Sequence, residues 1–411
     1  MTLTPKRPGW LAALILPLLT IACLAATPPP QAAVPRVQAP VAKAPGKADA
    51  VQAPAPLRDR IQAYLDEWRA AATFPGASLG VAMRDGTAFG VVTGVAERTA
   101  ATPLKVDDLM LAGSTGKTFF AALALQLIDQ HRLDLDALVS KYLGKEPWFP
   151  RLPNAKDITV RHLMTHTSGI LRYEMDPKFT AALRAQPDKT WRPEEEIAFQ
   201  LDAKPPFAAG QGWDYSDTNY IVLGMILERI TGRPCYEEIR ERFLQPLGLR
   251  RVVPSTSRRI PGLVPGYAGP RDPLGLPDEV MVKDEFVINP QFEWAGGGFA
   301  TSALDLARWG RELYAGRALS AGARTLMLEA SVPARLGPET RYGLGVIVRP
   351  AGPVGQTWGH SGFFPGYQTE LLHVPDLGVS LAVQINTSAP RATGGRSLVR
   401  VLYDIAAMTK P

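Results

Sequence analysis

Residues 113–129 read Gly113-Ser114-Thr115-Gly116-Lys117-Thr118-Phe119-Phe120-Ala121-Ala122-Leu123-Ala124-Leu125-Gln126-Leu127-Ile128-Asp129. The apolar run predicts a buried helix from Thr118 to Ile128, opened by a polar quartet. At a helix entry a serine and a lysine three apart share a face, and the N-terminal dipole favours negative charge developing there. Serine is a weak nucleophile at neutral pH and needs a neighbouring base. A lysine desolvated against a core helix loses proton affinity and can serve. The plain alternative for the same letters is a capping serine with a solvated lysine. A phosphate-binding Gly-x-x-x-x-Gly-Lys-[Ser/Thr] loop fails because residue 111 is Leu111 where the first glycine belongs. A Gly-x-Ser-x-Gly nucleophile elbow fails because Ala112 replaces its first glycine and no repeated βαβ pattern surrounds it.

Outward from this stretch, the periods change twice. Leu57 to Ala72 has helical apolar spacing through Leu57, Ile61, Tyr64, Leu65 and Trp68. Ala77–Met83 and Phe89–Val95 read as strands joined across Asp85-Gly86, a hairpin signal. Helical spacing then dominates at Val160–Met164, Ile221–Ile230 before Gly232, and Tyr236–Leu244, with a further helix capped by Ser302 and running through Leu313. Strands return at Tyr342–Val348, Gln368–Val374 and Val379–Asn386, and Leu398–Met408 closes as a helix. This plan predicts an α+β fold. Strands from both ends of the chain form one antiparallel sheet, terminal helices pack on it, and a mostly helical subdomain is inserted beside it.

The 411 residues carry a net charge of +6, but residues 1–56 hold five basic side chains against Asp49 alone, which is +4. The remaining +2 over 57–411 gives no basic surface for a phosphate backbone, so no nucleic-acid partner is expected. Lys6 and Arg7 precede the apolar stretch Trp10–Leu24 and small residues at Ala25 and Ala26, the layout of a signal peptide over 1–26. Export to a periplasm or the exterior follows. An uncleaved leader, or lipidation at Cys23, would attach the chain to a membrane. Residues 28–56 contain 8 Pro and 9 Ala and no aromatic, so 27–56 reads as a tether and the folded domain as 57–411. With the leader removed, Cys235 is the single thiol and reads as a small core side chain.

Two more polar clusters stand at element entries. Tyr215-Ser216-Asp217 precedes the helix Ile221–Ile230; a tyrosine beside a cation can relay a proton. His360-Ser361-Gly362 lies within Trp358-Gly359-His360-Ser361-Gly362-Phe363-Phe364-Pro365-Gly366, ahead of two strands, where glycines permit a ligand to approach an edge backbone. His162 and His166 are spaced like zinc ligands, but Leu163 stands where a His-Glu-x-x-His protease needs its Glu, so they are read as holding a loop and no metal or other cofactor is expected.

The order Ser-x-x-Lys, Tyr-x-[Asn/Asp], His-x-Gly resembles the penicillin-recognising serine hydrolases, in particular their class C β-lactamase and DD-peptidase branch. Ile158 to Gly169, Gly296-Gly297-Gly298 and Asp305-Leu306-Ala307 add to the likeness, which covers roughly 57–405. The resemblance implies Ser114 as a nucleophile forming an acyl-enzyme, Lys117 and Tyr215 sharing proton transfer, and the backbone N–H groups of Ser114 and Phe363 as an oxyanion hole. It implies that His360 replaces the lysine of β-lactamases, steers a substrate carboxylate and polarises Tyr215, with Gly362 beside it on the substrate strand. Asp217 departs from the usual Asn of the substrate-binding position, losing an amide donor and adding charge, which favours an ester over a peptide. Ser216-Asp217-Thr218 is similar to a class A Ser-Asp-Asn, but no Lys-Thr-Gly follows. The implied function is an exported acyl hydrolase of small-molecule or peptide substrates resembling a D-alanyl-D-alanine carboxypeptidase. The alternatives are a carboxylesterase, a weak β-lactamase, or a non-catalytic wall-binding protein. Substrate choice is assigned to the loops Leu171–Phe207 and Pro254–Phe286.

Overall fold

The computed structural model describes residues 55–270 and 272–410. The expected leader, Cys23 and the tether up to residue 54 lie outside the described residues. The first helix, Ala55–Ala70, starts two residues inside the stretch assigned to the tether. Pro56 is tolerated there because the first-turn N–H groups have no intrahelical acceptor.

The α+β plan is the one observed. The central sheet has nine antiparallel strands, in the order Thr102–Pro103, Ala88–Glu97, Gly76–Ala82, Val379–Ile385, Tyr367–Val374, Thr357–Phe364, Ile347–Arg349, Arg341–Tyr342 and Val332–Pro333. The ends of the chain meet at its middle, where Ala77 pairs with Ile385 and Ala82 with Ser380. Alternation sends Leu79, Val81, Val383 and Ile385 to one face, against Ile61, Leu65 and Trp68 of the first helix and Val401, Leu402 and Ile405 of the last, Leu398–Met408. Each such buried aliphatic side chain is worth about 1.5–3 kcal/mol. Helix Ala303–Tyr314 covers the other face, and Gly80 lets its first turn sit directly on the sheet. With both faces covered, Gly76–Ala82 and Val379–Ile385 are buried throughout.

Local departures from the sequence reading have local causes. Tyr342–Val348 is not one strand: Arg341–Tyr342 and Ile347–Arg349 pair with each other around Gly343 and Gly345. Tyr236–Leu244 divides into an α-helix, Cys235–Ile239, and a π-helical turn, Arg240–Leu244. The helix expected from Ile221 begins four residues earlier and runs Asp217–Thr231, which places Asp217 in its first turn. The His360 segment, read as lying ahead of strands, is itself the strand Thr357–Phe364. It is an edge only in part, since Ile347–Arg349 pairs with Thr357–Gly359 and leaves His360 to Phe364 open on that side.

That open stretch is packed against the turn carrying Ser114, backbone to backbone. A Cβ on Gly362 would lie 2.0 Å from the Ala112 carbonyl oxygen, and one on Gly113 would lie 2.5 Å from that of Phe363. The glycines therefore admit another piece of this chain, where the sequence reading had them admit a ligand. Beyond the turn, the ring of Phe119 is held between Trp309 at 4.3 Å and Phe299 at 4.8 Å, so the buried helix Lys117–Asp129 fixes the turn from its other end. Gly362→Ala should cost about 1–3 kcal/mol through overpacking, read as a lower urea midpoint; an unchanged midpoint would contradict this packing.

Candidate active site

Ser114 lies in the 3-10 turn Gly113–Gly116, which runs directly into the helix Lys117–Asp129. Lys117 Nζ donates to Ser114 Oγ at 3.0 Å. It also donates to Asp217 Oδ1 and to the carbonyl oxygen of Gly296. Lys117 is wholly buried. Burial alone would strip its proton, which was the sequence expectation. The Asp217 carboxylate, and after it Tyr215, reverse the sign, so the pKa of Lys117 is raised and the side chain stays an ammonium.

Asp217 is the hinge of this electrostatics. Burial pushes its carboxyl up, but Lys117, Glu174 and Arg172 together outweigh burial and hold it well below the usual carboxylate range. Arg172 reaches Asp217 Oδ2 at 3.3 Å through Nη2 and Glu174 Oε1 at 2.5 Å through Nε. Burial, then the Asp217 charge, push Glu174 well above its ordinary value, toward the neutral form. Asp217, expected as a substrate-facing anion, is thus shared between two cations.

Tyr215 enters just before the helix Asp217–Thr231, with Lys117 Nζ 5.0 Å and Arg172 Cζ 5.5 Å from its ring centroid. Its buried hydroxyl has no hydrogen-bond partner among the described residues. Burial raises its pKa, Lys117 and Ser114 opposing and Asp217 assisting. His166 positions this entry: its ring lies 4.1 Å from that of Tyr215, and its Nδ1 accepts the Ser216 backbone N–H at 3.2 Å. His162 instead closes a capping box with Thr159, so the two histidines hold different parts of one loop.

His360 does not have the freedom expected of it. Nδ1 faces the Ser361 carbonyl at 2.7 Å and Nε2 meets the Tyr342 hydroxyl at 2.8 Å. Burial, with Lys117 nearby, lowers its pKa to about 3, so the ring is neutral and both nitrogens are engaged. Its ring centroid is 6.2 Å from that of Tyr215, a neighbour across the cleft.

Ser114, Arg172 and Phe363 lie between two lobes of one cleft. The larger, about 690 Å³, is lined by Tyr215, Arg349, His360, Gly362 and Glu370 among others. The smaller, about 340 Å³, is lined by Asp217, Glu174, Met175, Leu274, Phe292 and Glu293 among others. Both substrate loops named from the sequence reach the smaller lobe, the first through Arg172 to Met175 and the second through Pro273 and Leu274. Arg172, Glu174, Glu293 and Tyr342 belong to no motif read in the sequence. The nearest signal was the position of Glu293 three residues before Gly296-Gly297-Gly298.

Glu293 is buried and its Oε2 has no partner among the described residues. Burial, opposed by Lys117 and assisted by Asp217, moves its pKa from 4.5 to about 8. Between those values the unfolded chain has lost a proton that the folded chain keeps, so stability falls as pH rises through the window. Glu293→Gln should remove that part of the slope, on the order of 3 kcal/mol between pH 5 and 8, by denaturant titrations at several pH values. A variant with the parent's slope would refute the assignment.

Comparison with known proteins places this geometry. A family model described as Beta-lactamase matches residues 57–403. Penicillin-binding protein 4* of Bacillus subtilis (strain 168) is 27% identical over 300 residues, 69% of this chain and 62% of its own length. Esterase EstB of Burkholderia gladioli is 29% identical over 235 residues, 56% of this chain and 59% of its own length. The match thus spans less than two thirds of either relative. The solved structure of a D-stereospecific amidohydrolase from Streptomyces sp. superposes with a TM-score of 0.70 at 30% identity, covering 84% of this chain and 97% of that one. With a family match running from the first described helix into the last, the chain belongs to the β-lactamase family, in the superfamily of serine β-lactamases and penicillin-binding proteins.

Proposed function

We propose that this chain is a serine acyl hydrolase that cleaves esters through an acyl-enzyme on Ser114. The observation that carries the choice of ester is the state of His360. A terminal carboxylate, as on a D-alanyl-D-alanine peptide, needs a cation on the His360 strand, and the neutral ring with both nitrogens engaged supplies none. Of the two cations lining that lobe, Arg172 is held by Glu174 and Asp217, and Arg349 is paired with Glu370 at 3.0 Å. Recruiting it is what a carboxypeptidase reading requires, and the likeness to a penicillin-binding protein keeps that reading as second.

In the proposed acylation, Ser114 Oγ bonds to the acyl carbon and its proton passes to the phenolate form of Tyr215, whose share grows with pH, because Lys117 keeps its own proton. Tyr215, now a phenol, gives that proton to the departing alcohol as the bond from the acyl carbon to the alcohol oxygen breaks, and is a phenolate again. Water attacks the acyl carbon by the same route, releasing the acid and restoring the Ser114 hydroxyl. Lys117 acts as a fixed positive charge beside the oxygen that loses its proton.

Ser114→Ala should lower hydrolysis of p-nitrophenyl acetate by at least about 10³-fold and abolish the fluorophosphonate adduct seen by intact mass. Labelling that persists in this variant would end the assignment. Incubation with nitrocefin and with a D-alanyl-D-alanine peptide ranks the other readings, and turnover of the peptide above the ester would overturn the choice of ester.

Asp217→Asn tests the proton arrangement. Removing the carboxylate lowers proton affinity at both Lys117 and Tyr215, since Asp217 raises each. The rise of kcat/KM with pH should therefore move to lower pH by a unit or more, while stability falls by about 3–5 kcal/mol as a buried charge loses its partner. A profile displaced to higher pH would contradict the assigned signs.

A further inference from the structure

Among the described residues five large hydrophobic side chains are exposed, and three of them, Met175, Leu336 and Phe363, stand on the walls of the cleft. Met175 at 55% and Phe363 at 45% exposure face each other's lobe, the smaller one, whose remaining apolar wall is Pro273, Leu274, Phe292 and Phe364. Exposed apolar groups gathered at one concave site mark a binding surface. The two lobes also differ in what they offer a reaction. Tyr215, the proposed proton donor, lines the larger lobe together with the polar pair Arg349 and Glu370 and with Gln368 and Thr369. A departing alcohol needs its proton on that side. The acyl group, which stays bonded to Ser114, is then left toward the smaller lobe.

We propose that the lobe walled by Met175, Leu274, Phe292 and Phe363 holds the acyl side of the substrate and selects an uncharged, apolar acyl group. This rests on Ser114 being the nucleophile. An acyl group ending in a carboxylate would meet an anion, Asp217, and a single cation, Arg172, whose Nε and Nη2 are already committed to Glu174 and Asp217. An aliphatic or aryl acyl chain meets no such conflict. Burial pushes the carboxyl groups of Glu174 and Glu293 toward their protonated forms, Glu293 up to about 8, which keeps the lobe floor compatible with an apolar guest.

The test is a series of esters with one leaving group, from acetate through butyrate to hexanoate, with the succinate half-ester as the charged counterpart of butyrate. kcat/KM should rise about fourfold for each methylene buried until the lobe is full, and the succinate half-ester should fall at least tenfold below butyrate. A series flat in acyl length, or a succinate half-ester faster than butyrate, overturns the proposal. Met175 is more than half exposed, so Met175→Asp keeps the fold, and it should flatten the series; an unchanged slope counts against the lobe. Binding of acetamide, butyramide and hexanamide to the Ser114→Ala protein, followed by ligand-observed NMR, reads the lobe without turnover. Affinity graded with chain length supports the lobe even if Ser114→Ala still hydrolyses esters, in which case the function reading fails alone. Ungraded affinity overturns the lobe whatever the activity.

Discussion

The buried ion pair between Lys117 and Asp217 is the interaction on which the rest of the site depends. An ammonium with no solvent contact survives only with a partner, and Asp217 sits in the first turn of a helix whose entry also carries Tyr215. Forming the pair therefore docks the helix Asp217–Thr231 onto the helix Lys117–Asp129 at the point where Ser114 emerges. The Gly296 carbonyl accepts a hydrogen bond from another of the lysine's N–H groups, drawing in the glycine run as a third side of the same cage. A buried pair of this kind is weak evidence for net stability against an apolar replacement, but breaking it by removing one member is costly. Position and charge state of the site are thus set by one contact between residues far apart in the chain.

The sheet provides the opposite wall by a different means. Its strand Thr357–Phe364 meets the Ser114 turn through backbone atoms, at glycines whose missing side chains leave no room to drift. The serine is held between an electrostatic clamp on the helical side and a steric one on the sheet side. The loop residues Met175, Pro273 and Leu274 on the wall of the apolar lobe belong to neither clamp, so they can vary without disturbing the distance from Lys117 Nζ to Ser114 Oγ.

Much of this could be read from the letters. The apolar periods around Leu57–Trp68 and Leu398–Met408, the Asp85-Gly86 hairpin and the Ser-x-x-Lys entry all encode short-range physics, and each element appears where its period ends. The His360 segment was legible as a motif but not as a strand, because Gly359, Gly362 and Gly366 mimic a loop, and only the pairing of Trp358 to Phe364 with Tyr367 to His373 makes it extended. The protonation of Lys117 was read with the wrong sign for a related reason. Burial is foreseeable from an apolar helix, whereas the Coulomb partner arrives from Asp217, one hundred positions along. Arg172, Glu174 and Glu293 carry no local pattern at all. They become functional candidates only when two loops and a 3-10 turn converge on Ser114.

A count of charge around the serine shows what the departure at Asp217 accomplishes. Lys117 and Arg172 are cations and Asp217 is an anion, while burial pushes the carboxyls of Glu174 and Glu293 up and the imidazoles of His166 and His360 down, each toward its neutral form. With those four neutral, the cluster holds one net positive charge in a desolvated setting. In the proposed acylation, negative charge appears on the acyl oxygen as the Ser114 proton moves to Tyr215, and that single surplus charge is what it meets. An asparagine at 217 would leave Lys117 to lose its proton and the cluster to depend on Arg172 alone, with the amine itself free to act as base. The aspartate instead trades a ready base for a permanent cation. It also raises the pKa of Tyr215, which keeps more of the phenol protonated and places the greater demand on stabilising the transition-state oxyanion. A site so arranged gains most from electrostatic preorganisation and least from a strong base, and that suits an activated acyl donor such as an ester better than an amide.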